Sequence, residues 1–198
     1  MSDDLDRDSW ERRWTRVLDA DPTGVDRRPP NALLLAEVAD LPAGVALDAG
    51  AGHGSEALWL AARGWRVTAV DFAATALARG AGRAGREGAE VAARIAWVEG
   101  DLGSWTPPAA HFDLVTCFYV HVAGSVPEMV RRLAGGVARG GTLLLVGQPG
   151  AAGQTQVSVP DALEVLDTDR WEIVVAEDRR RGARGAATDA VVRARRRT

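Results

Sequence analysis

The glycines of the segment LDAGAGHGSEALWL, residues 47–60, are the strongest chemical signal in the sequence. A predicted buried strand ends at Asp48, Gly50, Gly52 and Gly54 follow, and a predicted helix comes next. Glycine lets the backbone turn tightly and lets a ligand approach where a Cβ would obstruct it. The first N–H groups of a helix also have no partner inside the helix. The pattern therefore predicts a ligand-binding loop.

Two details distinguish this loop from a dinucleotide-binding loop. The fingerprint G-x-G-x-x-G requires glycine at position 55, where the chain has Ser55. Asp48 lies two residues before Gly50, and a carboxylate there suits a ligand with a positive amino group better than one with a pyrophosphate. The loop favours an amino-bearing ligand, and a nicotinamide dinucleotide stays open as an alternative.

Acidic residues follow the next two predicted strands. Asp71 ends VTAVD, 21 residues after Gly50, and an acid at this spacing can accept hydrogen bonds from ribose hydroxyls. EGDL, residues 99–102, places Asp101 after the third strand. The carboxyl ends of parallel strands meet at one edge of a sheet, so these acids predict a ligand site there.

Positioning these residues requires strands that alternate with helices. We expect strands at 45–48, 67–71, 95–98, 113–119 and 142–146, and a closing antiparallel pair at 171–176 and 189–194. We expect helices at 9–18, 31–39, 55–62, 74–85, 127–137 and 160–166, with a loop over 19–30. This alternation predicts an α/β fold, Rossmann-like and doubly wound, with a mostly parallel seven-stranded sheet and an antiparallel C-terminal strand. Residues 1–40 would form a helical lid segment and residues 41–198 the ligand-binding domain, as one domain overall.

Five segments in this order resemble the class I methyltransferases that use S-adenosylmethionine (SAM). They are LDAGAGHG, VTAVD, EGDL, FDLVTCFYVHV and GGTLLLV, and the resemblance covers about residues 43–147. It implies a Rossmann-like fold with SAM as the cofactor. The tryptophan-rich first helix, the Arg-Pro-rich loop and EALWLA resemble small bacterial members of the tellurite-resistance and thiopurine-methyltransferase branch.

The resemblance assigns the cofactor site to residues at the ends of four strands: Asp48, Gly50, Gly52, Gly54, Asp71, Phe72, Asp101, Leu102, Cys117 and Phe118. It implies that Asp48 and the glycine loop hold the methionine end of SAM and that Asp71 holds the ribose hydroxyls. Asp101 would accept a hydrogen bond from the adenine amino group, and the main chain at Cys117 would lie along the methionine moiety.

The acceptor side depends on residues after the fourth strand and in the N-terminal segment. A thiolate needs no base for methylation, whereas a phenol or an amine can need one, and a histidine suits that task. His121 is our candidate general base and Tyr119 the second catalytic candidate. The candidate substrate-binding residues are Trp10, Trp14, Arg28 and Gln148. The two tryptophans have the alternative role of docking the first helix, and the alternative for His121 is a surface imidazole.

Composition narrows the class of protein. The chain has 198 residues, 46% of them hydrophobic, with one cysteine and a net charge of −3, which is ordinary for a globular protein with one core. No apolar run reaches the ~20 residues of a membrane span, and the acidic start lacks a signal-peptide pattern, so we expect a cytoplasmic protein. No metal-ligand spacing is present. The basic residues are all arginine, and the arginine-rich C-terminus predicts a solvated edge.

The sequence thus predicts a SAM-dependent methyltransferase that acts on a small molecule. About 40 residues precede the first strand, and we expect them to leave no room for a separate domain that binds a macromolecular substrate. An aromatic or heteroaromatic acceptor with an O, N or S nucleophile fits the tryptophans. We expect no nucleic acid or membrane partner, and a monomer or a homodimer. The alternatives are a non-catalytic SAM-binding module and an oxidoreductase on a similar fold.

Overall fold

The computed structural model describes residues 7–148, 156–181 and 187–198. Within these ranges the helices are α1 Arg7–Ala20, α2 Pro22–Asp26, α3 Ala32–Val38, α4 Ser55–Ala62, α5 Ala74–Glu87, α6 Ala89–Ala93, α7 Val126–Gly136 and α8 Val159–Val165. The strands are β1 Val45–Ala49, β2 Arg66–Asp71, β3 Ile95–Glu99, β4 Phe112–Phe118, β5 Val137–Gly147, β6 Trp171–Arg180 and β7 Thr188–Arg196. None of the described helices combines the length and the apolar content that a bilayer crossing requires.

The chain divides into two compact units, one ending at Asp101 and the other beginning at Leu102. In the first unit the strands are parallel and lie in the order β3-β2-β1. Asp48 pairs with Ala69 across β1 and β2, and Asp71 pairs with Glu99 across β2 and β3. The carboxyl ends of these strands therefore lie at the same edge, where the glycine loop begins.

In the second unit β4 and β5 are parallel, and β7 is antiparallel to both β5 and β6. Phe118 pairs with Val146, so β4 and β5 end at the same level. Counted along the whole sheet, the strand order is β3-β2-β1-β4-β5-β7-β6. The predicted fold class, a mostly parallel seven-stranded sheet with an antiparallel C-terminal strand, is confirmed.

The interior strands carry continuous apolar runs. Leu143, Leu144 and Leu145 of β5 are all fully buried, as are Ala46 and Leu47 of β1. Strands covered on both faces have this pattern because neither set of alternating side chains reaches water. The same burial leaves only the strand ends for polar chemistry.

The stretch 19–30, which the prolines predicted as a loop, contains helix α2. Pro22 stands in the first turn, where its missing N–H is no loss, and the Asp21 side chain accepts a hydrogen bond from Gly24 N at 2.7 Å as the N-cap. The loop prediction was wrong because proline was interpreted only as a helix breaker. Helix α6 was also not predicted.

Smaller differences concern strand ends and tryptophans. β4 ends at Phe118, one residue before the predicted end, because Tyr119 has a φ of +54°. β5 begins at Val137, five residues before the predicted start at 142. Among the tryptophans, Trp65 and Trp171 are buried, whereas Trp59 and Trp97 are only half-buried.

Candidate active site

The glycine loop owes its path to three positive φ angles. Gly50, Gly52 and Gly54 have φ values of +82°, +51° and +79°, in the left-handed region that favours glycine. Gly50 N and Ala51 N both donate to the Val70 carbonyl oxygen, at 2.8 and 3.0 Å. The loop is therefore fixed to the end of β2 before α4 begins.

Asp71 joins the end of β2 to that loop. Its Oδ2 accepts a hydrogen bond from Gly52 N at 2.8 Å, and its Oδ1 accepts one from Ala73 N at 2.9 Å. Burial raises the pKa of this carboxyl, and the backbone N–H groups of Ala73, Gly52 and Phe72 partly oppose that rise. The charge of Glu11 adds to the rise. Asp48, at the end of β1, is likewise buried, so two acids lie at the ends of neighbouring strands.

Helix α1 packs against the loop through Trp14. A Cβ added at Gly52 would lie 2.8 Å from Trp14 Cζ2, and the Trp14 ring lies 5.4 Å from the His53 ring, centroid to centroid. Glu11 anchors the same helix, because its Oε1 accepts hydrogen bonds from Thr75 N at 2.9 Å and from the Thr75 hydroxyl. Glu11 thereby satisfies a donor in the first turn of α5.

His53 lies in a buried polar network beside the loop. Its Nε2 is 3.1 Å from the Ser55 hydroxyl, which donates to the Arg28 carbonyl oxygen and accepts from Arg83 Nη1 at 3.2 Å. Burial, followed by the charges of Arg83 and Arg28, lowers the pKa of His53 to about 4. His53 is therefore neutral at physiological pH, and only 8% of its surface is exposed.

An arginine cluster on α5 holds α2 in place. Asp26, the last residue of α2, accepts from Arg79 Nε at 2.9 Å and Nη2 at 2.8 Å, and from Arg86 Nη2 at 2.7 Å. Arg83 Nε lies 3.8 Å from the same carboxylate. The arginines repeat at helical spacing, so one acid pairs with a basic face of α5.

In the second unit, Tyr119 follows β4 in a strained conformation. Its φ is +54°, a value that residues other than glycine, and bulky residues above all, rarely adopt. Its N–H donates to the Val146 carbonyl oxygen at 2.8 Å. The Arg181 guanidinium lies 5.0 Å from the centre of the tyrosine ring. Arg181 pairs through Nε and Nη2 with the buried Asp189, which raises the pKa of the guanidinium.

Two glutamines complete this cluster. With its amide oxygen turned toward Arg181, Gln148 accepts from the two Nη atoms at 3.0 and 2.8 Å. Gln148 N donates to Gln156 Oε1 at 2.8 Å, and Gln156 Nε2 lies 2.6 Å from His121 Nε2. The sequence-predicted residues Tyr119, His121 and Gln148 are thus linked through Arg181 and Gln156.

The other predicted residues vary in exposure. Leu102 and Cys117 are buried, Phe72, Phe118 and Trp10 are half-buried, and Asp101 and Arg28 are exposed. Arg13 stacks on the Trp10 ring at 4.7 Å. In the part of the chain that the structure describes, no three acids, histidines or cysteines are grouped as a metal site would require.

Sequence reasoning missed Glu11, Asp26, Gln156 and Asp189. The helical spacing of the α5 arginines was a usable signal for an acidic partner such as Asp26. No signal in the sequence identified the other three, because each contacts a residue at least eight positions away along the chain.

Comparison with known proteins gives the family context. Residues 46–141 match the profile described as "Methyltransferase domain". The N1-methyltransferase for 1,6-didemethyltoxoflavin from Burkholderia thailandensis has a TM-score of 0.70 and 19% identity, over 98% of this chain and 88% of that one. A SAM-dependent methyltransferase from Mesorhizobium loti has a TM-score of 0.66 and 20% identity, over 84% of this chain and 99% of that one.

The cyclase SpnF has a TM-score of 0.68 and 18% identity, over 84% of this chain and 80% of that one. No curated protein matches the chain. Since one of these structures is named a cyclase, the fold alone does not fix the reaction, and the domain match carries the family context. Residues 46–141 therefore match a methyltransferase domain, and the chain has the fold of solved SAM-dependent methyltransferases. SAM is the cofactor of such a domain.

Proposed function

We propose that this chain transfers the methyl group of SAM to a small-molecule acceptor with an O, N or S nucleophile on an aromatic or heteroaromatic framework. The observation that carries the proposal is the hydrogen bond from Gly52 N to Asp71 Oδ2, at 2.8 Å, within the matched domain. It ties the acid expected to hold the ribose to the loop expected to hold the methionine end.

The residues present fit SAM. A carboxylate offers about four lone-pair sites, and Asp71 uses some of them on Gly52 N, Ala73 N and Phe72 N, which leaves room for a ribose hydroxyl as a further donor. The buried carboxylate of Asp48 matches the charge of an amino group. We assign Asp101 and Leu102 to the adenine, Phe72 to the ribose side, and the main chain at Cys117 and Phe118 to the methionine moiety.

Bound SAM supplies a methyl group on a sulfonium sulfur, which is already activated for in-line displacement. The protein's part is then to align the acceptor and to exclude water. We propose Tyr119 and His121 for the acceptor side because both follow β4, at the level where β5 also ends. Trp10, Trp14, Arg28 and Gln148 are proposed to contact the acceptor.

Several finer expectations belong to the same proposal. A small-molecule acceptor agrees with the neighbour from Burkholderia thailandensis, which holds 1,6-didemethyltoxoflavin. We extend the proposal to the tellurite-resistance and thiopurine-methyltransferase branch, to a cytoplasmic location, and to a monomer or homodimer without nucleic acid. The lid role of residues 1–40 over a single domain of residues 41–198 is proposed with them.

The first test is calorimetric titration with S-adenosylhomocysteine. We expect micromolar binding to the wild type and a loss of about tenfold to a hundredfold in Asp71→Asn, because charged hydrogen bonds to the hydroxyls disappear. Asp113→Asn, an exposed acid on β4, is the matched control and should bind as the wild type does. Urea unfolding of each variant separates lost binding from lost fold. Absence of wild-type binding would overturn the proposal.

The second test concerns the acceptor. The protein is incubated with methyl-labelled SAM and, separately, with total RNA, DNA and a small-molecule extract. We expect label in the small-molecule fraction only. Label mainly in nucleic acid would refute the acceptor class, and donor binding without any transfer would favour the non-catalytic module.

A further inference from the structure

A hydrogen-bonded pair, His121 and Gln156, lies beyond the carboxyl ends of β4 and β5. Tyr119 N continues the ladder between these strands through the Val146 carbonyl oxygen, and His121 comes two residues later. Gln156 is 8% exposed, and the next residue, Val157, is held against the end of β5. A Cβ at position 147 would collide with the Val157 carbonyl oxygen, so the close approach of Val157 to the β5 backbone requires glycine at that position.

The orientation of the Gln156 amide follows from its partners. Gln148 N–H can only donate, so the atom 2.8 Å from it must be the amide oxygen. The amide nitrogen then faces His121 Nε2 at 2.6 Å. The reversed amide would set an NH2 group against the Gln148 N–H, so the network permits one orientation only.

That orientation determines where the imidazole carries its proton. An amide nitrogen donates and does not accept, so His121 Nε2 must present its lone pair. The neutral ring then has its hydrogen on Nδ1. An imidazolium would place N–H opposite NH2, with no acceptor between them.

We propose that Gln156 holds His121 as the neutral Nδ1–H tautomer, so that His121 serves the acceptor as a hydrogen-bond donor and not as the general base. The donor role of His121 rests on the proposed methyl transfer. Gln156 acts through His121 and is a positioning residue. The base role that the sequence analysis gave to His121 would require Nε2, which is engaged by the amide.

Without a general base, the acceptor has to be a nucleophile that needs no deprotonation. An unprotonated ring nitrogen or a thiolate meets this condition, and a neutral alcohol, which must lose its proton, does not. In that reaction the acceptor's lone pair forms the new bond to the methyl carbon. The pair of the broken carbon–sulfur bond stays on sulfur, and no proton passes to His121.

The tautomer can be measured directly because the chain has three histidines. Long-range ¹H–¹⁵N correlation on ¹⁵N-histidine-labelled protein at pH 7 reports which ring nitrogen is protonated. His53→Gln and His111→Gln assign the signals. We expect His121 as a single neutral Nδ1–H species. An Nε2–H ring, an imidazolium or a mixture of tautomers in the wild type would overturn the proposal.

Variants at position 156 test whether Gln156 determines the tautomer of His121. Gln156→Glu replaces the donor with an acceptor, so we expect the His121 hydrogen to move to Nε2. Gln156→Leu removes the hydrogen bond at similar volume, and we expect a mixture of tautomers. An unchanged Nδ1–H signal in both folded variants would refute the role of Gln156. If a variant does not fold, the wild-type spectrum still decides the tautomer.

Turnover separates a donor from a base. With methyl-labelled SAM and the small-molecule extract, His121→Ala should reduce transfer by about tenfold or more. His121→Asn, which can donate but cannot take up a proton, should restore part of that loss. Equal losses in both variants would refute the donor role. Absence of transfer in the wild type would count against the proposed function and leave the spectroscopic result standing.

Discussion

Lowering the pH should destabilise this protein through His53. The imidazole is buried beside Arg83. Its burial and the charge of Arg83 lower its pKa to about 4 in the folded chain, from 6.5 in the unfolded one. Between these values the unfolded state binds a proton that the folded state does not bind. By linkage, stability is therefore fully present above the unfolded pKa and is lost as the pH falls toward the folded pKa.

The size of the effect follows from the two pKa values. Going from pH 7.5 to pH 5, the shift from 6.5 to about 4 costs about 2 kcal/mol of unfolding free energy. For a chain of this length that is a fall of about 4–8 °C in Tm. Asp71 and Glu56 have raised pKa values because of burial, so their contribution has the opposite sign and reduces the net change.

The assay is urea unfolding followed by tryptophan fluorescence at several pH values between 7.5 and 5. His53→Gln keeps a group that can bond to the Ser55 hydroxyl, and the difference between its curve and the wild-type curve isolates His53. His111→Gln removes an exposed histidine and is the matched control, which should keep the wild-type slope. An unchanged slope in His53→Gln would refute the reasoning, as would a His53 titration midpoint near 6.5 by NMR.

Three further outcomes concern stability measured by urea unfolding at pH 7.5. Asp26→Ala should cost about 2–3 kcal/mol, because it leaves the buried Arg83 and the half-buried Arg79 without their anion. Glu90→Ala, which breaks an exposed pair, should cost less than about 0.5 kcal/mol, and equal costs would contradict the argument. Gly85→Ala should stabilise α5 by about 0.5–1 kcal/mol, since an added Cβ there meets nothing within 4 Å; a loss of stability would contradict this. Gly54→Ala should cost at least about 2 kcal/mol, because its φ is +79° and its Cβ would collide with Trp97; a loss under 0.5 kcal/mol would refute it.

The sequence predicted the strands well because their signal is local. A buried strand such as β5 requires a continuous apolar run, and the run from Leu143 to Val146 is visible without any structure. The positions of Asp48 and Asp71 at strand ends follow from the same pattern. Helix α2 was missed because whether Pro22 ends or begins a helix depends on the capping side chain of Asp21.

The contacts around these acids were not predictable in the same way. Glu11 contacts Thr75, which is 64 residues away, and Gln156 contacts His121 across 35 residues. Such pairs depend on how helices and turns pack, and a single sequence carries no periodicity that specifies them. The tautomer of His121 depends on one of these contacts, so the sequence could suggest a histidine and could not assign its chemistry.

The glycine loop shows why the proposed cofactor should be tested at an acid. From the sequence alone, Gly52 and Gly54 indicate clearance for a ligand. In the structure, the space of an added Cβ is taken by Trp14 at Gly52 and by Trp97 at Gly54. Packing alone therefore requires glycine at both positions, and substitutions there would destabilise the protein with or without a ligand. Asp71→Asn keeps the size of the side chain and removes its charge, so a loss of S-adenosylhomocysteine binding in a folded variant reports on Asp71 itself, through the ribose contact and through the hydrogen bond that holds the loop at Gly52.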